Sequence, residues 1–184
     1  MKRHVSSPVV AVCWVVVCMF ATGFKASAQT AADKYWWHAT LTQFQRNANI
    51  VRVAQSFPDN TFVGQSCKVW VQSSVVPLAS RYVAKIPLND PYCEWRWQWG
   101  PDVEAVATDR WDGVDWWPGY IVQAQVRTTY GATSPHTMIV LASNRWSVTV
   151  IESNWRGDNT VRRRTVDWPT MQRQVIHYTL YRVK

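Results

Sequence analysis

HTMIVLASNRWSVTVIESN, residues 136–154, decides the fold. Residues 136–143 are a continuous apolar run of strand length. Residues 146–154 alternate apolar and polar side chains, and Asn144 marks a tight turn between the two runs. Two strands joined so briefly form an antiparallel hairpin. The pattern extends outward on both sides. GYIVQAQVRT at 119–128 alternates before the hairpin, and TVRRRTV at 160–166 reads as a further, two-sided strand after it. Gly131 with Pro135, Asn144 and Gly157-Asp158-Asn159 supply the short connections, which predicts an antiparallel meander. DWPTMQRQV at 167–175 carries a helix-opening signal, Asp with Pro two residues on. HYTLYRVK at 177–184 alternates and closes the sheet, with His177 at an edge position.

The first half reads differently. Residues 34–57 hold one helix that ends before Pro58, with apolar positions at Leu41, Phe44, Ile50, Val51, Val53 and Ala54. PDNTFVG is a loop. A short helix follows, with Ser66 near its N-cap and Pro77 as its stop. Residues 87–118 read as one long irregular stretch, of a length often tied to function. Helices first and strands later predict an α+β class.

The N-terminus has the features of a secretory leader. Lys2 and Arg3 precede a short apolar run at 8–20, and Ala-Ser-Ala ends at Ala28. The run is shorter than the ~20 residues a spanning helix needs, so stable membrane insertion is not expected. Removing 28 of 184 residues leaves 156, enough for a single domain with its own core, residues 29–184. With Lys2, Arg3 and Lys25 gone, 17 basic residues face 12 acidic ones, a net charge of +5. That excess favours anionic surfaces such as wall polymers. Export makes nucleic acid the least fitting of these partners.

Cys67 and Cys93 survive processing. In an oxidising compartment a Cys67–Cys93 disulfide is the plain reading. The catalytic reading begins from the place of Cys67 at a helix start, where the dipole and free N–H groups favour a thiolate and could bind an oxyanion. Gln65 is close enough to add a side-chain donor. A cysteine hydrolase also needs a base and a group that orients it. The mature chain offers His38, His136 and His177. His136 opens the most apolar strand. Glu152 and Asn154 lie on the neighbouring strand, two residues apart and so on one face. Either could orient the imidazole.

Gly-x-x-Cys-x-x-Trp-Val at 64–71, Pro-His-Thr-x-Ile-Val at 135–140 and Ile-Glu-Ser-Asn-Trp at 151–155 together resemble the CHAP domain, a papain-like, NlpC/P60-related group of bacterial cysteine amidases and peptidases. The resemblance runs from about Phe62 to Val183. Its specific part is the order Cys, His, Glu-x-Asn-Trp. It implies N-terminal helices packed on a small antiparallel sheet. It also implies cleavage of peptidoglycan, at the N-acetylmuramoyl-L-alanine amide or within stem or cross-bridge peptides. Cys67 maps to the nucleophile, His136 to the base, and Glu152 and Asn154 to its polar support. Many members have Gln directly before the cysteine; here Ser66 stands there and Gln65 is one step back. Asp59-Asn60 does not match the calcium loops of some members, so neither metal nor other cofactor is expected. Gly119-Tyr120 stands where Gly-Asp is usual.

Thirteen tryptophans stand out in so short a chain. Trp95, Trp97 and Trp99 alternate, so an extended segment would present them on one face as a platform for sugar or peptide; the alternative is that they build core. Arg162, Arg163 and Arg164 read as a solvated strand face, with wall-polymer binding as the other option. Two further functions fit the same residues: a non-catalytic secreted module that binds glycan or protein, and a cysteine peptidase with non-wall substrates. Oligomeric state is not legible.

Overall fold

A computed structural model describes residues 41–80, 99, 103–111, 116–128 and 131–184. The expected leader at residues 1–28, His38, Cys93, Trp95 and Trp97 lie outside the described residues.

The body of the molecule is a six-stranded antiparallel sheet. Its strands are β1 (Val103–Thr108), β2 (Ile121–Arg127), β3 (Thr133–Ser143), β4 (Ser147–Ser153), β5 (Val161–Asp167) and β6 (Val175–Val183). They lie in the order β1-β6-β2-β3-β4-β5. The expected meander is therefore β2 to β5. β6 does not close an edge; it returns across the sheet and pairs with both β2 and β1.

Helices are few and short. α1 (Gln43–Gln55) starts at a reciprocal capping box, in which Thr42 Oγ1 accepts from the Gln45 N–H and Gln45 Oε1 accepts from the Thr42 N–H. α2 (Cys67–Trp70), a π turn (Val71–Val75) and α3 (Val76–Ser80) form one continuous helical run. α4 (Trp168–Gln174) is capped by Asp167, whose carboxylate accepts from the Thr170 N–H at 2.8 Å. Pro77 does not stop the second helical run. The ladder ahead of it widens to i→i+5, with the Val76 N–H donating to the Val71 carbonyl. That widening relieves the clash a proline ring makes with the carbonyl four residues back.

Three further expectations are corrected. The papain-like, NlpC/P60-type α+β arrangement of N-terminal helices on a small sheet fits weakly: the sheet dominates, the helices are short, and α4 sits between the last two strands. The 87–118 stretch is not irregular throughout, because Val103–Thr108 is strand β1. His177 is on an inner strand, not an edge strand.

Each face of the sheet carries a core. Ile121, Ile139, Ile151 and Tyr181 pack with Ile50, Val53, Ala54, Trp70, Val71 and Val75 of the helical runs. Val122, Met138, Val150 and Leu180 pack with Trp116, Trp168 and Met171 on the other face. Full burial of one such side chain stabilises by ~1.5–3 kcal/mol, and this two-sided burial fixes strand register. Gly119 marks where α1 meets the sheet. Its φ is +86°, and a Cβ there would lie 2.5 Å from the Asn47 carbonyl oxygen. Among the described residues no helix is long and apolar enough to cross a membrane.

Candidate active site

The second helical run delivers Cys67 as its first residue. Ser66 is the extended residue before it, with φ −65° and ψ 164°, and makes no side-chain cap bond. The Ser153 hydroxyl donates to the Gln65 carbonyl at 3.2 Å, which ties the cysteine loop to the end of β4. Cys67 is 3 % exposed and is a free thiol. Its Sγ accepts a hydrogen bond from the Thr137 N–H at 3.3 Å. The register explains this donor. The last pair of β3 with β4 is Met138 with Glu152, so the Thr137 N–H lies just past that ladder.

His136 precedes Thr137 on β3. Its Nε2 is 2.8 Å from Glu152 Oε2. Glu152 sits opposite Met138, which makes His136 its diagonal neighbour on the same face. With Nε2 committed to Glu152, Nδ1 is the nitrogen left to hydrogen-bond the Cys67 thiol. Burial alone would lower the His136 pKa. The charges of Cys67 and Glu152, and hydrogen bonds to both, outweigh it and raise the value from 6.5 to about 10.

Glu152 is fully buried. Burial would raise its pKa, but His136 and then Arg164 hold it below the usual carboxylate range. Arg164 Nε donates to Oε1, and Arg164 Nη2 donates to Oε2 at 3.3 Å. A buried carboxylate without cations would be untenable, and here it has two. Trp155 completes the group. Its ring meets the His136 imidazole edge-on at 4.9 Å between centroids, and the Arg164 guanidinium lies over it at 3.7 Å.

Cys67, His136 and Glu152 come together as the sequence reading required. Asn154 does not join them. β4 ends at Ser153, and Asn154 adopts φ +62°. Its Oδ1 accepts from the Asn159 N–H at 3.0 Å, closing the turn toward β5. Gln65 is near the cysteine, but its side-chain oxygen accepts from the Ser73 and Ser74 hydroxyls, at 3.3 and 3.0 Å, so it is anchored along the helix. Trp99 is a packing residue. Its Nε1 donates to Gln123 Oε1 at 2.9 Å, its ring packs on Tyr181, and Lys68 Nζ lies 5.0 Å from its centroid.

The Arg162–Arg164 run is not a free solvated face. Arg162 pairs with Asp158 and Asn60; Arg163 binds Asp59 and the carbonyls of Gln55 and Phe57; Arg164 binds Glu152. Arg164 is the site residue that sequence reading missed. Its signal was the alternation that puts Arg162 and Arg164 on one strand face beside a strand bearing a buried glutamate. His177 makes a separate pair with Asp109. Among the described residues no three His, Cys, Asp or Glu side chains form a metal-binding group.

No family model matches the chain, and no curated relative matches it. Among solved structures, one described as "The crystal structure of Ly7917" is similar at 15 % identity, with a TM-score of 0.40. That match covers 76 % of this chain and 62 % of the other, so the chain spans under two thirds of its length. A likeness this low identifies neither fold nor function.

Proposed function

We propose that the protein is an exported cysteine hydrolase of CHAP-type chemistry, cleaving amide bonds in peptidoglycan. The observation that carries this reading is the buried chain from the Cys67 thiol through His136 to Glu152. A free cysteine, a histidine bonded to it and a carboxylate that orients the histidine are the three parts of a thiol nucleophile's machinery.

The course follows from those parts. With its pKa raised to about 10, His136 already holds the shared proton on Nδ1 beside the Cys67 sulphur, and Glu152 stabilises that imidazolium. The sulphur attacks the amide carbonyl. Backbone N–H groups at the start of the helical run receive the oxyanion. His136 then protonates the leaving amine, and water, activated by the same imidazole, hydrolyses the acyl-enzyme. Glu152 orients the ring throughout, because its carboxylate accepts from His136 Nε2–H. The net basic charge and the leader-like N-terminus support a wall substrate outside the cytoplasm.

Incubating mature protein, residues 29–184, with purified peptidoglycan under reducing conditions tests this. Soluble fragments from the wild type, and none from Cys67→Ala, are expected, and their masses name the bond. If wild type and variant both release nothing while folded and carrying a free Cys67 thiol, the hydrolase reading of wall substrate fails.

A further inference from the structure

We infer that Arg164 is a positioning residue of this site, clamping the His136–Glu152 pair from two sides. One side is direct: its Nε and Nη2 hold both oxygens of Glu152. The other runs through Trp155, whose ring touches both the Arg164 guanidinium, 3.7 Å from the ring centroid, and the edge-on His136 imidazole. Arg164 thus fixes the carboxylate that His136 leans on and the indole that His136 leans against.

The geometry is specific to arginine. A planar guanidinium can bond a carboxylate through two nitrogens and stack on an indole at once, whereas an ammonium supplies charge without the plane. The side chain is itself held, because Nη1 donates to Gln174 Oε1 of α4 at 3.4 Å. α4 lies between β5 and β6 in sequence, so the site is braced by an element distant in the chain from the cysteine. Arg162, the register partner of Glu152 on β5, is occupied elsewhere by Asp158 and Asn60. The charged and titratable groups facing Glu152 are therefore His136 from β3 and Arg164 from β5, with Cys67 of α2 acting through His136 and Arg162 alongside.

The kinetic part of this inference rests on the hydrolase reading; the titration part does not. The experiment compares mature wild type with Arg164→Met, Arg164→Lys and Trp155→Phe. It records thermal unfolding, the ¹³C carboxyl titration of Glu152, and peptidoglycan cleavage against pH. In Arg164→Met, loss of a cation at the carboxylate should move the Glu152 titration up by about one pH unit. The acidic limb of the activity profile should move with it, and kcat should fall while KM holds. Arg164→Lys should restore the titration and leave kcat low, since charge returns without the clamp. Trp155→Phe should leave the titration in place and lower kcat. If Arg164→Met does not fold, the lysine and phenylalanine variants carry the decision. A Glu152 titration that superimposes on wild type in Arg164→Met, or full kcat in Arg164→Lys, overturns the inference. Should wild type cleave no peptidoglycan, the hydrolase reading falls, and the titrations alone still decide whether Arg164 holds Glu152.

Discussion

Replacing Glu152 by Gln is the most informative single perturbation of the site. Glutamine keeps the shape and removes the charge. In wild type the carboxylate is fully buried and serves His136 Nε2 at 2.8 Å together with two nitrogens of Arg164. The variant leaves the imidazolium facing a neutral amide in a water-poor setting. Removing one partner of a buried ion pair costs about 3–5 kcal/mol. The Arg164 side chain is 19 % exposed, so water recovers part of its share, and the lower end of that range is expected. For a domain of this size each kcal/mol moves Tm by about 2–4 °C, which predicts a fall of about 6–12 °C.

The pH dependence has a definite sign. Glu152 is held below its ordinary value of 4.5, so its contribution is present above that pH and disappears as pH falls through the folded value. His136 is raised from 6.5 to about 10, so its contribution is complete below 6.5 and is lost as pH climbs toward 10. The stability difference between wild type and Glu152→Gln should therefore be largest between about pH 4.5 and 6.5 and shrink on both sides. Urea unfolding of both proteins from pH 3 to 10 measures it. A difference below about 1 kcal/mol at pH 6, or one that stays flat across the range, would refute the claim that a buried charge network holds this site.

Other perturbations separate chemistry from scaffold. Cys67→Ser should abolish cleavage yet keep the fold, since a hydroxyl can still accept from Thr137; circular dichroism and fragment release check the two halves. Asn154→Ala should cost about 1–2 kcal/mol through the loss of its turn bond and its positive φ, with kcat little changed, because Asn154 closes a turn and does not touch His136. Gly119→Ala should lower the urea midpoint by more than a surface change would, equivalent to at least about 2 kcal/mol, because its Cβ would strike Asn47 backbone atoms that cannot yield.

Much of the sheet was legible because its inner strands are marked by strong periodicity. The hairpin of β3 and β4 carries both apolar faces on its own sequence, and its short turn placed His136 near Glu152. β1 was not legible. Val103–Thr108 is half-buried without clean alternation, so it looks like the loop around it. The strand position of β6 was missed because alternation reveals a strand and not its neighbours. Asn154 was grouped with Glu152 by a period-two rule that holds only while the backbone stays extended, and the strand stops one residue earlier. Arg164 was hidden by its neighbours: a run of three arginines reads as solvated until each is assigned a partner. The helical run past Pro77 depended on a π turn, which leaves no composition signal.

Cys67 acting as a nucleophile driven by His136 is what the proposed hydrolysis depends on. The most direct test is digestion of purified peptidoglycan by reduced mature protein, with Cys67→Ala and His136→Ala alongside and products identified by mass. A Cys67 nucleophile driven by His136 gives new amide-cleavage fragments from wild type and none from either variant. Fragments released equally by Cys67→Ala would contradict it.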